Sequence, residues 1–267
     1  MKRLVPVLVV VAALTTAAAA AARSSAPPTM HAGTLTVAFG DAAVGFAAGT
    51  VRGNTITNPK GYEVDLAKAI ASDLGIGKIN WIYSPWNSLF APGTKKFDVS
   101  FQEATITAQR KRTVDFSTSY FDANQGALLS KKAAIPHSIA DLKKLQTCAQ
   151  TNTTGLDWIK TKLHPVKAPL AYPATTAAFT AVQINRCDAL ILDTPIVASE
   201  RKANPTKYGP VAGQIITHEQ YGAVFQKGSK LKPMVDSAIK KLWANHTIGK
   251  LQKKWFAIDF SKVPILK

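Results

Sequence analysis

The chain has 267 residues, 46% of them hydrophobic, and carries 33 lysines and arginines against 16 aspartates and glutamates, a formal charge of +17. That apolar share excludes a disordered chain and allows one large core or two smaller ones. The cations are dispersed as pairs, Lys95-Lys96, Lys131-Lys132, Lys143-Lys144, Lys240-Lys241 and Lys253-Lys254, with no arginine-rich run. Such a distribution describes a solvated face rather than a polyanion groove, so no nucleic-acid partner is expected.

Lys2-Arg3 opens the chain, followed by an apolar run from Leu4 to Leu14 and then Thr15-Thr16 and six alanines, Ala17 to Ala22. A cationic start, a short apolar stretch and an alanine-rich cleavage zone predict a secretory signal peptide over residues 1–22. The run is shorter than the roughly 20 residues that cross a bilayer, so no stable membrane insertion is expected. No cysteine follows it, so a lipid anchor is not indicated and the expected location is exported, in a periplasm. Losing Lys2 and Arg3 takes the basic residues from 33 to 31 against 16 acidic, or +15. Residues 23–33 lack periodicity and read as a disordered mature end.

From there "GTLTVAFG" (33–40) alternates and is β-branched, a first strand entering a Gly-rich loop. "GYEVDLAKAIASDLG" (61–75) predicts a helix: Val64, Ala67, Ala71 and Leu74 share a face, and Glu63 and Asp65 suit its N-terminal turn. "KINWIYS" (78–84) is a second strand, "WNSLFAPG" a short helix and "FDVSFQEATI" (97–106) a third strand. "VDFSTSY" and "GALLSK" are extended. A second cycle begins at Ser138, which with Asp141 caps a short helix. "QTCAQT" then reads as a strand, "LDWIKTKL" and "TTAAFTAVQIN" as helices, and "CDALILD" as a strand ending at Asp193, with Pro195 opening the next helix. "QYGAVFQKGS" is extended and the C-terminus helical. Strands alternating with helices predict two successive α/β units with mostly parallel sheets.

Enzymatic signatures are missing: no Gly-x-Ser-x-Gly, no Walker sequence, no His-Glu-x-x-His, and "GIGK" at 75–78 lacks the third glycine of a dinucleotide loop. The five histidines are not spaced as a metal set, so neither metal nor cofactor is expected and the chain is read as a non-enzyme. Cys148 and Cys187 are far from any Cys-x-x-Cys pattern; an exported protein allows one disulfide between them or two buried thiols. Binding signals are better. "QTNTTGLDWI" (150–159) is a strand, a polar turn and a helix start, where N–H groups and the Thr153 and Thr154 hydroxyls make an anion site or an ordinary cap. Asp193 lies at the C-terminal edge of a strand, where ligands of open α/β sheets bind, or where a cap sits. In "TITAQRKR" (105–112), Thr105 and Thr107 point to one side and Arg110 follows within a turn. Its planar guanidinium suits a carboxylate, whereas Lys111 and Arg112 need no partner.

At these residues the chain resembles the amino-acid-type (family 3) solute-binding proteins of ABC importers, with the periplasmic binding protein type II fold. "GYEVDLAKAIASDLG" is similar to the family's Gly-Phe-Asp-Val-Asp-Leu helix, and "FDVSFQEATITAQRKRTVDFSTSYF" to its Thr-x-Thr-x-x-Arg and Asp-Phe-Ser-x-x-Tyr segment. "QTNTTG" resembles Gln-x-Gly-Thr-Thr, "CDALILD" the Asp-Ala-x-x-x-Asp strand, and "FQKGS…IGKLQKKWF" the closing pattern. The five stretches occur in the family's order.

The resemblance implies two α/β lobes joined by two extended hinge crossovers, lobe one over 34–123 and 220–267 and lobe two over 124–219. A ligand in the cleft is enclosed by hinge closure. It further implies that Arg110, with Thr105 and the Thr153-Thr154 turn, holds an α-carboxylate, that Asp193 holds the α-ammonium, and that Phe46 and Trp86 pack on the side chain. Cys148 and Cys187 would begin neighbouring strands of lobe two, which favours the disulfide. The partners implied are a free amino acid and an ABC permease with its ATPase, served by a monomer. Two departures bear on the ligand. Asn152 stands for the glycine of Gly-Thr-Thr, and Glu103 stands where many members carry a small residue. Glu103, with Asp41 and Gln102 close by, suggests a basic or polar amino acid. Two other readings fit the resemblance: a cyclohexadienyl or arogenate-type dehydratase with Glu103 as its acid, and a sensory or adhesive binding protein.

Overall fold

Among the described residues, ten strands join into one sheet in the order β2-β3-β4-β1-β5-β10-β6-β9-β7-β8. The computed structural model describes residues 26–267, so the expected signal peptide lies outside the described residues. At one end stand β1 (Thr34–Phe39), the hairpin β2 (Ala48–Arg52) and β3 (Thr55–Lys60), β4 (Lys78–Tyr83) and the two-residue β5 (Val99–Ser100). Helices α1 (Tyr62–Asp73) and α2 (Trp86–Leu89) belong with them. At the other end are α3 (Ile139–Leu142), β7 (Thr147–Gln150), α4 (Thr154–Trp158), β8 (Leu170–Tyr172), α5 (Thr175–Gln183), β9 (Ala189–Asp193) and α6 (Thr194–Ala203). Two 16-residue strands cross between the ends, β6 (Val114–Leu129) and β10 (Val211–Gln226), and pair antiparallel. The chain then returns to the first end as α7 (Lys232–Ala244) and α8 (Thr247–Trp255). Each end keeps a parallel core, β4-β1-β5 and β9-β7-β8, as successive βαβ units require. This is the two-lobed α/β architecture with two extended crossovers.

Local chemistry explains the elements that position the cleft. Helix α1 buries Val64, Leu66, Ala67, Ile70 and Ala71, one face at helical spacing. Gly61 before it has φ +133, and a Cβ there would stand 2.1 Å from the Phe46 carbonyl oxygen, so only glycine fits. Next to it, the Tyr62 and Glu63 N–H groups donate to the Gly45 and Phe46 carbonyls, 2.9 and 3.0 Å. That anchoring turns Phe46 inward, into a fully buried group with Tyr62, Phe121, Tyr221 and Phe256. In the other lobe Cys148 of β7 is bonded to Cys187, which precedes β9, with their Cα atoms 5.9 Å apart.

Several elements differ from the sequence expectation. The third strand, expected over 97–106, is only Val99–Ser100, because Asp98 turns to accept the Met30 and Thr36 N–H groups and Glu103 takes a left-handed backbone. The β2–β3 hairpin was not expected; apart from Ile56 its residues are largely exposed and show no apolar alternation. Strand β10 begins at Val211, not near Gln220.

Candidate functional site

Arg110 opens a single turn of 3-10 helix, Arg110–Arg112, fixed by Thr107, whose Oγ1 accepts the Arg110 N–H at 3.1 Å. The residue is only 9% exposed. The guanidinium lies over the Phe90 ring at 4.2 Å and the Trp86 ring at 5.0 Å, which replaces some of the lost hydration. Its two terminal nitrogens donate in opposite directions, to the Thr105 carbonyl at 2.8 Å and across the cleft to the Asn152 carbonyl at 3.0 Å. Burial lowers its pKa to about 10, with Asp193, Glu219 and Asp157 acting against that, so it stays a cation at neutral pH. Lys111 and Arg112 are exposed.

The turn that faces it from the second lobe is built on Asn152, φ +60; asparagine tolerates that backbone. Thr153 is the cap of α4: its Oγ1 accepts the Leu156 N–H at 3.3 Å and donates to the Gln150 carbonyl at 2.7 Å. Its hydroxyl is therefore engaged locally, whereas that of Thr154 donates to Glu219 at 2.7 Å. Trp86 Nε1 donates to the Asn152 carbonyl at 3.2 Å, and Asn152 Nδ2 donates to Asn87 at 2.8 Å. These cross-cleft bonds hold the lobes together.

Asp193 ends β9 and precedes α6, yet its side chain makes no cap bond. It accepts instead from the Tyr221 hydroxyl and from Gln125 Nε2, both at 2.5 Å. Burial and the charge of Glu219 raise its pKa to about 7 against the pull of Tyr221, Gln125 and Arg110. A second acidic centre is a pair. Glu63, 1% exposed, accepts the Glu103 N–H at 2.9 Å and the Tyr120 hydroxyl. Both carboxyls are pushed upward, chiefly by burial, and that of Glu103 also by Glu63 and Asp193.

Trp86, Gln102, Glu103, Thr105, Arg110, Thr153, Thr154 and Asp193 all line one interlobe cavity of about 50 Å³, closed from the second lobe by Gln150, Thr175 and Ile196. A second space of about 40 Å³ shares Trp86, Gln102 and Glu103 and extends to Asp41, which accepts the Tyr83 hydroxyl at 2.9 Å. Phe46 lines neither. The expectation that it packs on a ligand side chain is corrected: the backbone contact with α1 sends its ring into the core, and Ala42, Ala43 and Ala47 line the wall there.

The sequence pattern of the bacterial extracellular solute-binding proteins, family 3, matches residues 44–258. The chain belongs to this family. Among its relatives is the ABC transporter glutamine-binding protein GlnH of Bacillus subtilis, 32% identical over 205 residues, 75% of this chain and 74% of that protein. The arginine-binding extracellular protein ArtP of the same organism is 30% identical, covering 74% of this chain and 78% of its own. The L-cystine-binding protein TcyJ of Escherichia coli is 27% identical, with 76% of each chain covered. Among solved structures, an ancestral arginine-binding protein bound to glutamine superposes with a TM-score of 0.75 at 29% identity, over 85% of this chain and 100% of that one. An ancestral amino acid-binding protein described as a precursor of cyclohexadienyl dehydratase gives 0.72 at 32%, over 84% and 95%.

Family membership adds a frame that the residues alone did not supply. Glu63, Gln125, Gln150, Thr175, Ile196, Glu219 and Tyr221 were not singled out from the sequence. Glu63 reads there as a helix-terminus acid, a role in which Asp65 does sit outside, paired with Lys254. Gln125 is wholly buried between Ala123 and Ala127 of β6, but Asn124 beside it and the strand's other polar residues leave no local signal that marks it.

Proposed function

We propose that the chain is an exported receptor that binds a free amino acid in the interlobe cleft and, as a monomer, delivers it to an ABC permease driven by an ATPase. The carrying observation is one enclosed cavity that holds a guanidinium, Arg110, together with a carboxyl, Asp193. An amino acid carries the complementary pair, and charge-assisted bonds at both ends are the strong ones. The lobes 34–123 with 220–267, and 124–219, move as bodies about β6 and β10. Glu103 lines the side-chain space with Glu63 behind it, and a cationic or polar ligand group would offset the cost of enclosing that acidic pair, which favours a basic or polar amino acid. Relatives named for binding glutamine, arginine and cystine support the amino-acid class.

A thermal-shift screen of the mature protein against the common amino acids, repeated with Arg110→Ala, tests the reading. Ligand at 100 times its Kd stabilises by about 2.7 kcal/mol. Shifts with lysine, arginine, histidine or ornithine that vanish in Arg110→Ala are expected; no shift with any amino acid overturns the proposal. One observation favours a second reading: Glu103, with its raised carboxyl, resembles a general acid, and a precursor of a dehydratase is among the structural relatives. Turnover of a cyclohexadienyl acid would support it instead.

A further inference from the structure

Glu219 stands where the pairing of β10 with β6 breaks register, between Ile215 and Glu219. One of its oxygens, Oε2, accepts two hydroxyl protons, from Thr105 on one side of the cleft and from Thr154 on the other, each at 2.7 Å. The other, Oε1, accepts from Gln125 Nε2 at 2.9 Å. Thr105 and Thr154 line the interlobe cavity, and Glu219 does not. It stands behind the wall they form, with its outer side on a crevice of about 460 Å³ at the back of the hinge.

A hydroxyl has one proton to give and two lone pairs, and a carboxylate only accepts. With both protons committed to Glu219, Thr105 presents its lone pairs to the cavity, and Thr154, which also accepts from Gln125 Nε2 at 3.3 Å, presents the one that remains. Gln125 works in the same sense: its Nε2 also donates to Asp193, leaving that carboxylate's remaining lone pairs to a ligand. A wall of hydroxyl and carboxylate acceptors suits an ammonium and repels a carboxylate, which is left to Arg110 and to backbone N–H groups.

We infer that Glu219 is a positioning residue: it gathers Thr105 and Thr154 from the two lobes and turns their hydroxyls into acceptors for the ligand's ammonium. The inference rests on the amino-acid reading proposed above, and it reverses the role expected of the two threonines, which the family resemblance assigns to the carboxylate.

Calorimetric titration with two matched pairs tests it: L-arginine against 5-guanidinopentanoate, and L-glutamine against 4-carbamoylbutanoate, each pair differing only in the α-amino group. The proteins are the wild type, Glu219→Ala and Glu219→Gln. Glu219 is half-exposed, and glutamine keeps its shape and one acceptor oxygen, so it provides a folded comparison if alanine does not. The wild type should prefer the amino form of whichever pair it binds by 100-fold or more. In Glu219→Ala that preference should fall at least tenfold, and less in Glu219→Gln, with the Kd of the deamino acid within threefold of wild type. Equal weakening of both members of a pair marks a merely structural residue and overturns the inference, as does an unchanged preference in both variants. A wild type that binds neither amino acid overturns the receptor reading and this assignment with it; the other failures leave the receptor reading standing.

Discussion

Asp193, held at about pH 7 by burial and by Glu219, must be ionised to meet an ammonium. Amino-acid affinity should therefore fall between pH 7 and pH 5, approaching tenfold per pH unit. Ligand-free stability should move the other way. The folded protein binds this proton more tightly than the unfolded chain, whose carboxyl has its ordinary value of 3.8. The group's contribution is thus fully present below that value and is lost as pH rises towards 7. Glu63 and Glu103, also raised, add in the same direction. For Asp65 and Asp115 burial is the largest single effect and raises each, but the bonds to Lys254 and Trp255, and to Lys227 and Gly228, together outweigh it and hold both low, so their contribution is lost only in more acid solution. Melting curves from pH 8 to 5, with and without amino acid, should show the two trends crossing; a ligand-free midpoint that drops on acidification to pH 5 would refute the assignment. Glu103 gives a second test. It holds φ +47, a backbone that costs an L-residue about 1–2 kcal/mol. Glu103→Gly should raise ligand-free stability by about 1 kcal/mol after the extra chain entropy of glycine, read by urea denaturation. The same change should abolish any preference for arginine over glutamine, and retention of that preference would remove Glu103 from the side-chain pocket.

At the scale of elements, the sequence is most legible where one face is buried. Helix α1 carries an apolar face at helical spacing, strands β1 and β9 carry short runs that are buried almost throughout, and the positions of all three match the expectation closely. The hairpin β2–β3 is wet on both faces and carries no pattern to read. The C-terminal helical stretch is broken at His246, whose left-handed backbone, φ +61, separates α7 from α8. Site residues follow the same logic. Arg110 could be read because it follows the alternating Thr105-Ile106-Thr107 within a turn, and Asp193 because it ends a strand just before a helix, where backbone geometry advertises a ligand edge. Glu63, Gln125 and Glu219 act by meeting residues 29 to 114 positions away, and no local pattern encodes such a meeting. Phe46 shows the converse: its place after the first strand points to the cleft, but a contact with α1 decides its direction. The disulfide is an element-scale restraint, closing a span of 39 residues that contains β8 and α5. Loop-closure entropy puts its contribution at about 4 kcal/mol. Cys148→Ala with Cys187→Ala should lower the urea midpoint accordingly; a shift below about 1 kcal/mol would mean that packing alone holds β7 against β9.

Across the whole molecule, the excess of lysine and arginine sets a long-range field that the buried cleft opposes locally. Asp193, Glu219 and Asp157 act on the one buried guanidinium, and Glu63 and Glu103 add a second acidic pair at the edge of the cavity. A cationic amino acid is thus repelled at a distance and welcomed at contact. Raising salt screens the first effect far more than the second. Association of arginine, followed by stopped-flow fluorescence of Trp86 and its neighbours, should speed up several-fold between 20 and 200 mM salt on this ground. Dissociation should stay within a factor of two. A polyanion-binding protein would show the reverse slope. Closure itself leans on the Asn152 carbonyl, which takes bonds from both Arg110 and Trp86. A carbonyl belongs to every amino acid. Any residue that accepts the left-handed backbone, glycine included, offers the same acceptor, and a substitution there forfeits only the bond to Asn87. The contact that shuts the cleft is therefore insulated from mutation at its own position, leaving that residue free to drift while the specificity of the pocket evolves around it.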